Sequence, residues 1–380
     1  MNVPSRLLLG SGPSPVPQRV LDALATPTIG HLDPAFAALM EEVAEMLRAT
    51  FGTENRATLP ISGTGSAGMD AMVANVVEPG DRVICGVNGL FGERMADALE
   101  RGGAEVFRVF APWGRAIAPE DLVLAGRDVF DALFVVHGET STGVLQPLDG
   151  LGEACREHDA LFLLDCVTSL AGAPLILDQA GVDVAFSGTQ KCLNCPPGLA
   201  PFTAGPRAID KLRARETRVR SWYFDLSLVL SYWNPPTQPG SAPRAYHHTA
   251  PINMVYALHE ALSIVAEEGL AARWHRHAEA HDRLLAALRT LGFERLAPEG
   301  EQLAPLLAVT PPEGVDVEGV RMRLLTEHGI EVSAGVGDLK GQVWRIGVMG
   351  VGAERGPQER LVRAVATELG RAPDEAVAAL

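Results

Sequence analysis

A chain of 380 residues with 47% hydrophobic composition exceeds one core, because single cores stop growing near ~250 to 300 residues, so two domains are predicted. Its formal charge of −15 excludes a nucleic-acid surface, which needs a local excess of Lys and Arg, and leaves any anionic substrate to a few placed cations. The five cysteines, Cys85, Cys155, Cys166, Cys192 and Cys195, lie mostly in apolar segments and are odd in number, which suits reduced thiols in a cytoplasmic protein rather than a disulfide framework.

In chain order, Leu7 to Leu9 is the only apolar run near the start, short of the ~7 to 15 residues of a signal segment. No apolar stretch approaches the ~18 to 20 residues that span a bilayer, and the final residues are not a Ser-Lys-Leu tripeptide. Neither export nor a membrane is expected. Gly10 to Pro17 is rich in Pro and Gly, which predicts an extended arm. Apolar residues then recur at helical spacing from Phe36 to Thr50, ahead of Gly52. Leu59-Pro60-Ile61 feeds a Gly-rich turn at Ser62, followed by a helical pattern from Met69 to Val77. Short apolar runs at 82–87, 104–110, 132–137, 160–167, 182–187 and 199–204 alternate with helix-like stretches, the pattern of a mostly parallel sheet covered on both faces. The fold class is therefore α/β. Between 215 and 250 the pattern dissolves into aromatic and Pro-rich sequence. A long helical pattern returns over 251–293, and runs at 304–309 and 342–348 flank a further helix, as in a smaller α+β domain. The predicted division is an N-terminal arm over 1–20, a large domain over 21–264 and a small C-terminal domain over 265–380.

Ligands in such sheets bind beyond the carboxyl ends of the strands. Lys191 stands there, after the run ending at Phe186, and is one of only three lysines with Lys211 and Lys340. A desolvated lysine has a lowered pKa and can form a Schiff base with an aldehyde; the alternative is a surface lysine. Asp165 ends the run Leu161 to Leu164, where a buried carboxylate needs a cation. The pyridinium of pyridoxal 5′-phosphate (PLP) is such a cation, and a helix N-cap is the alternative. Ser62 to Gly68 offers backbone N–H groups at a helix start, a phosphate cradle, although such turns are common.

Thr64-Gly65-Ser66, His137 to Val144, Asp165 to Ser169, Ser187-Gly188-Thr189-Gln190-Lys191, Tyr246-His247-His248-Thr249 and Arg345-Ile346-Gly347, in that order, resemble the alanine-glyoxylate/serine-pyruvate aminotransferases, class V enzymes of PLP fold-type I. The resemblance runs along essentially the whole chain. It implies Lys191 as the Schiff-base lysine, Asp165 as partner of the pyridine nitrogen, and Val167 against one ring face. Thr64, Gly65, Ser66 and Gln190 would hold the phosphate, joined by Tyr246 and Thr249 from a second subunit, so that a homodimer shares its two sites. Thr140 would approach the ring, Arg345 would grip the substrate carboxylate, and Ser11-Gly12 would close the substrate side. Small amino acids and keto acids would be the substrates. The strand pattern of 343–348 turns Arg345 away from Trp344 and Ile346; its alternative is an arginine that bridges the domains.

Two positions depart from the family: Phe91 stands where a Trp usually stacks, and Ser66 where a His is frequent. An (S)-ureidoglycine-glyoxylate or serine-glyoxylate aminotransferase would share nearly every motif. A PLP-dependent lyase of the cysteine desulfurase kind would need a mobile cysteine after Cys195, which the chain lacks, and a non-enzymatic scaffold would have no need of Lys191, Asp165 and Arg345 together. Cys192 to Cys195 forms a Cys-x-x-Cys without a second ligand pair. His247 and His248 are expected to diverge, as neighbours on an extended segment do, so no metal is predicted.

Overall fold

The computed structural model describes residues 3–126, 129–235 and 243–380. Helix α1 (Pro34–Phe51) begins where the Asp33 side chain accepts from the Ala35 N–H, and ends at Gly52 with a left-handed φ of 66°. Phe36, Met40, Val43 and Leu47 form its buried stripe, the spacing of one helix face.

Seven strands follow: β1 (Ala57–Ser62), β2 (Arg82–Val87), β3 (Glu105–Phe110), β4 (Ala132–Val136), β5 (Leu161–Asp165), β6 (Val184–Phe186) and β7 (Leu199–Ala204). They form one sheet in the order β1-β7-β6-β5-β4-β2-β3. Only β7 runs against its neighbours, β1 and β6; the other pairings are parallel. Helices α2 (Gly65–Val76) and α3 (Leu90–Gly102) each start a few residues beyond a strand end. Strands β4 and β5 are buried along their whole length, which explains their continuous apolar runs.

The predicted pattern over 251–293 is two helices, α4 (Ile252–Glu268) and α5 (Leu270–Thr290). Gly269, at φ 80°, breaks them apart. Val255, Leu258 and Leu262 of α4 join the core around the large sheet, whereas Leu284 and Leu288 of α5 join a second core with Leu307, Trp344 and Ile346. The second core lies on a four-stranded antiparallel sheet of β8 (Glu294–Arg295), β9 (Leu306–Thr310), β10 (Ser333–Ala334) and β11 (Trp344–Gly347), in the order β8-β9-β11-β10. Helices α6 (Val317–Thr326) and α7 (Arg355–Glu368) add to it.

Two stretches hold more structure than their composition predicts. Within the arm, Leu7 and Leu8 pair with Ile330 and Glu331 as parallel strands, Leu9 is buried in the second core, and Gln18–Leu24 is helical. In the aromatic stretch, Leu226–Trp233 is a helix whose start is held by the Asp225 side chain accepting from the Ser227 N–H. Tyr232 and Trp233 are fully buried there, so this helix has little of the polar face that marks a helix in sequence.

Candidate functional site

The ends of β1, β4, β5 and β6 meet around one cavity of about 230 Å³. Nine of the predicted cofactor-site residues line it: Thr64, Gly65, Ser66, Phe91, Thr140, Asp165, Val167, Gln190 and Lys191. A larger groove of about 610 Å³ touches Ala57 and Ala204. That is the opposite edge of the sheet, where β1 begins, and not the end at which ligands of such sheets bind.

Lys191 is 8% exposed. Its Nζ donates to the Ser11 carbonyl, and burial lowers its pKa to about 8. Asp165 is equally enclosed; its Oδ1 accepts from the Val167 N–H at 2.8 Å, and burial pushes its carboxyl up to about 7, with the buried Glu139 carboxyl adding to the rise. The same desolvation thus disfavours both charges. The bond from Val167 is the local turn that a capping aspartate makes, but no helix longer than a turn follows it.

The arm covers the amine. Gly12 has φ 109°, and a Cβ there would fall 2.6 Å from Lys191 Nζ, so only glycine allows this approach. Ser11 is tied to Ser333 of β10, whose Oγ accepts from the Ser11 N–H at 3.0 Å. Both members of the predicted substrate-side pair therefore lie against Lys191 or the small sheet.

Arg345 sits on β11 between Ala308 and Ser333 in register, while Trp344 faces the second core, as strand alternation predicts. Its Nε donates to the Ala334 carbonyl at 2.8 Å and its Nη1 to the Thr140 carbonyl at 3.1 Å. It does bridge the small sheet and the Thr140 turn, then, with Nη2 left without a protein partner among the described residues. Burial lowers its pKa below the usual guanidinium range.

Tyr246 and Thr249 are exposed and are not among the cavity-lining residues. The neighbouring histidines depart from expectation: His247 Nδ1 and His248 Nδ1 lie 2.8 Å apart. The segment is a bend rather than a strand, and Trp222 stacked on His247 at 4.4 Å and Tyr223 and Tyr232 about His248 press the rings together. His248 Nε2 reaches Ser62 Oγ at 2.8 Å. No group of three potential metal ligands occurs among the described residues.

Other site residues escaped the sequence reading. Arg94 lines the cavity with its guanidinium 4.9 Å from the Phe91 ring centre; the i,i+3 spacing at the start of α3 was the available signal. Glu139 is fully buried and accepts from the Phe91 N–H at 3.0 Å, the Ser141 N–H at 2.9 Å and the Ser141 hydroxyl at 2.6 Å, which pins α3 to the Thr140 loop.

The residues fit PLP. The buried Gln190 Oε1 lacks a partner; since an amide can turn over, the side chain can present its NH₂ to an oxygen-rich ligand instead. Thr64 caps α2 without using its hydroxyl on the helix, leaving that group and the first N–H groups for an anion. Asp165 is a buried carboxyl without a cationic hydrogen-bond partner among the described residues. All five cysteines are buried and free, and burial pushes the thiols of Cys192 and Cys195 up to about 12, so both stay protonated at neutral pH in the free chain.

The family description Aminotransferase class-V matches residues 6–339. The (S)-ureidoglycine–glyoxylate transaminase of Bacillus subtilis is 39% identical over 366 residues, covering 91% of this chain and 86% of that protein. The alanine–glyoxylate aminotransferase of Callithrix jacchus is 38% identical, covering 98% and 90%. The crystal structure of alanine–glyoxylate aminotransferase from Nostoc sp. superposes with a TM-score of 0.94 at 47% identity, over 97% of this chain and 96% of that one.

Proposed function

The chain belongs to the class-V aminotransferase family, and on that premise we propose that it holds PLP at Lys191 and moves an amino group from a small amino acid to glyoxylate or a similar keto acid. Alanine is the first donor expected and serine the second. Bound there, PLP supplies an aldehyde for the substrate amine and a ring that absorbs the charge left when the Cα proton is removed.

The chain's own groups do the rest. The Lys191 amine, with its pKa lowered to about 8, is neutral in a useful fraction near neutrality and carries the proton from the substrate Cα to its next position. Asp165 keeps a cationic ring nitrogen protonated. Val167 and Phe91 cover the two ring faces, and Thr140 approaches the ring edge. Thr64, Gly65, Ser66 and Gln190 grip the phosphate together with Tyr246 and Thr249 of the partner subunit, in a two-fold homodimer with shared sites. Arg345 binds the α-carboxylate with its planar fork, and Ser11-Gly12 close over the substrate.

The observation that carries this reading is a single cavity holding a desolvated lysine, a desolvated aspartate and a helix start. The two cores that meet across Gly269 support the division into an arm over 1–20, a large domain over 21–264 and a small domain over 265–380. Five free, buried thiols support a cytoplasmic enzyme, and no described helix is long and apolar enough to cross a membrane.

The purified protein is expected to absorb in the visible, and borohydride to fix the label on the peptide containing Lys191. A colourless protein, or label elsewhere, would overturn the assignment. The Bacillus subtilis relative favours (S)-ureidoglycine as a third candidate donor, the alternative reading beside the serine-glyoxylate variant of the reaction. An amino-donor panel with alanine, serine and (S)-ureidoglycine separates the three.

A further inference from the structure

Asn194 lies three residues after Lys191, is 3% exposed, and holds a left-handed φ of 52°. Its Nδ2 donates to Ser14 Oγ at 3.0 Å and the Pro15 carbonyl at 3.0 Å, both in the arm, and to the Met349 carbonyl at 3.2 Å, just past β11. Its Oδ1 accepts from Arg273 Nη2 of α5 at 3.0 Å. One amide thus touches three segments distant in sequence.

Each partner leads back to the site. Ser14 Oγ donates to the Lys191 carbonyl at 2.7 Å, and the Ser14 N–H donates to the Gln190 carbonyl at 2.9 Å. Arg273 Nη2 also donates to the Cys192 carbonyl at 2.5 Å. Gly350 N–H donates to His277 Nε2 at 2.9 Å, and a Cβ on Gly350 would fall 1.6 Å from Asn194 Oδ1, so the backbone after β11 packs directly on the amide. Met349 is four residues after Arg345.

We infer that Asn194 is a positioning residue, locking the Lys191 loop, the arm above the amine and the strand carrying Arg345 into one unit. It thereby fixes the span between amine and guanidinium that a small carboxylate substrate must bridge. The inference rests on the roles proposed for Lys191 and Arg345. Asparagine suits the place on two counts: it tolerates the left-handed backbone, and it supplies donors and an acceptor from one end group.

Asn194→Gly removes the side chain without straining the backbone. Acylation of the full-length chain stripped of PLP, read peptide by peptide, reports each lysine, with Lys211 and Lys340 as internal references. In the variant the pH midpoint for Lys191 is expected to rise by about one unit, because a loosened arm rehydrates the amine. Adding PLP should protect Lys191 in both proteins. The KM for glyoxylate should rise about tenfold with kcat changed less than about threefold, the mark of lost substrate grip. Asn194→Asp keeps the acceptor for Arg273 but loses every donor, and should behave like the glycine variant.

A folded Asn194→Gly with unchanged midpoint and unchanged KM overturns the inference, as does a wild-type-like Asn194→Asp. Should both fail to fold, Ser14→Ala decides: it removes the hydroxyl's bonds to the Asn194 amide and the Lys191 carbonyl and leaves the Met349 bond in place, so the midpoint should move and the KM stay within about twofold, and an unmoved midpoint sinks the idea. Turnover retained by Lys191→Ala would overturn the proposed function while leaving the labelling result standing, so the two failures are distinguishable.

Discussion

The floor of the cavity and the rim proposed for it, at Tyr246 and Thr249, are built on opposite terms. Lys191 and Asp165 are enclosed by a single protomer's strand ends and arm, whereas Tyr246 and Thr249 stand exposed on a bend. The difference follows from what each region must do. A group whose acidity has to be moved must be desolvated before any ligand arrives. Groups proposed only to grip a phosphate across a subunit contact lose nothing by staying wet until that contact and the ligand form.

Five variants and a sedimentation run break or sharpen that contrast, beginning with the floor. Lys191→Ala should lower kcat by about 10⁴-fold or more, the upper range for a positioned proton carrier, and abolish the visible band; repeated turnover would remove the floor from the chemistry. Asp165→Asn should cost on the order of 10³-fold in kcat with PLP still bound, since the amide cannot balance a cationic ring nitrogen. Arg345→Ala should lower kcat/KM for alanine and glyoxylate about a hundredfold while the visible band persists. Arg345→Lys should recover only part, because it brings charge without the fork. Unchanged kcat/KM in the alanine variant would reduce Arg345 to its bridge between Thr140 and Ala334. At the rim, Thr249→Ala should weaken PLP retention about tenfold with kcat near wild type at saturating PLP, read by equilibrium dialysis. A fully active monomer in sedimentation would refute the shared site.

The floor also sets how stability of the PLP-free chain follows pH. The Asp165 carboxyl is raised from its ordinary 3.8 to about 7. Between those values the folded chain keeps a proton that the unfolded chain has released, so this group's contribution falls as pH rises. Lys191 is lowered from 10.5 to about 8; between those values the unfolded chain holds the extra proton, so stability rises with pH there. Thermal melts of Asp165→Asn should lack the first trend and keep the second.

Most of the large sheet was legible because buried parallel strands are continuous apolar runs, and of the residues closing them Asp165, Gln190 and Lys191 line the cavity. What was hidden depends on contacts far apart in sequence. Leu226–Trp233 carries apolar or aromatic side chains at six of its eight positions, so no clear polar face marked it in sequence. His247 and His248 were set converging by Trp222, Tyr223 and Tyr232, which no local rule about alternation includes. Asn194 lies inside a Cys-x-x-Cys that drew attention to its sulfurs, while its partners Ser14, Arg273 and Met349 are scattered across the whole chain. Arg94 was exposed and polar at the start of a helix, the commonest surroundings for an arginine without a role.

The arm's pairing has a consequence for the order in which the molecule is made. Leu7 and Leu8 are synthesised more than three hundred residues before their strand partners Ile330 and Glu331, and the Leu9 carbonyl accepts from the Gly347 N–H. Closing a contact over more than three hundred residues is slow, because the loop entropy is lost before the contact repays it. The large sheet has all its strands by Ala204 and can condense long before, as domains do during synthesis. The lysine therefore waits on a nascent chain with its cover unfastened until the small sheet has docked. The Lys191 cavity matures after the large sheet that floors it, although its covering residues are made before that sheet.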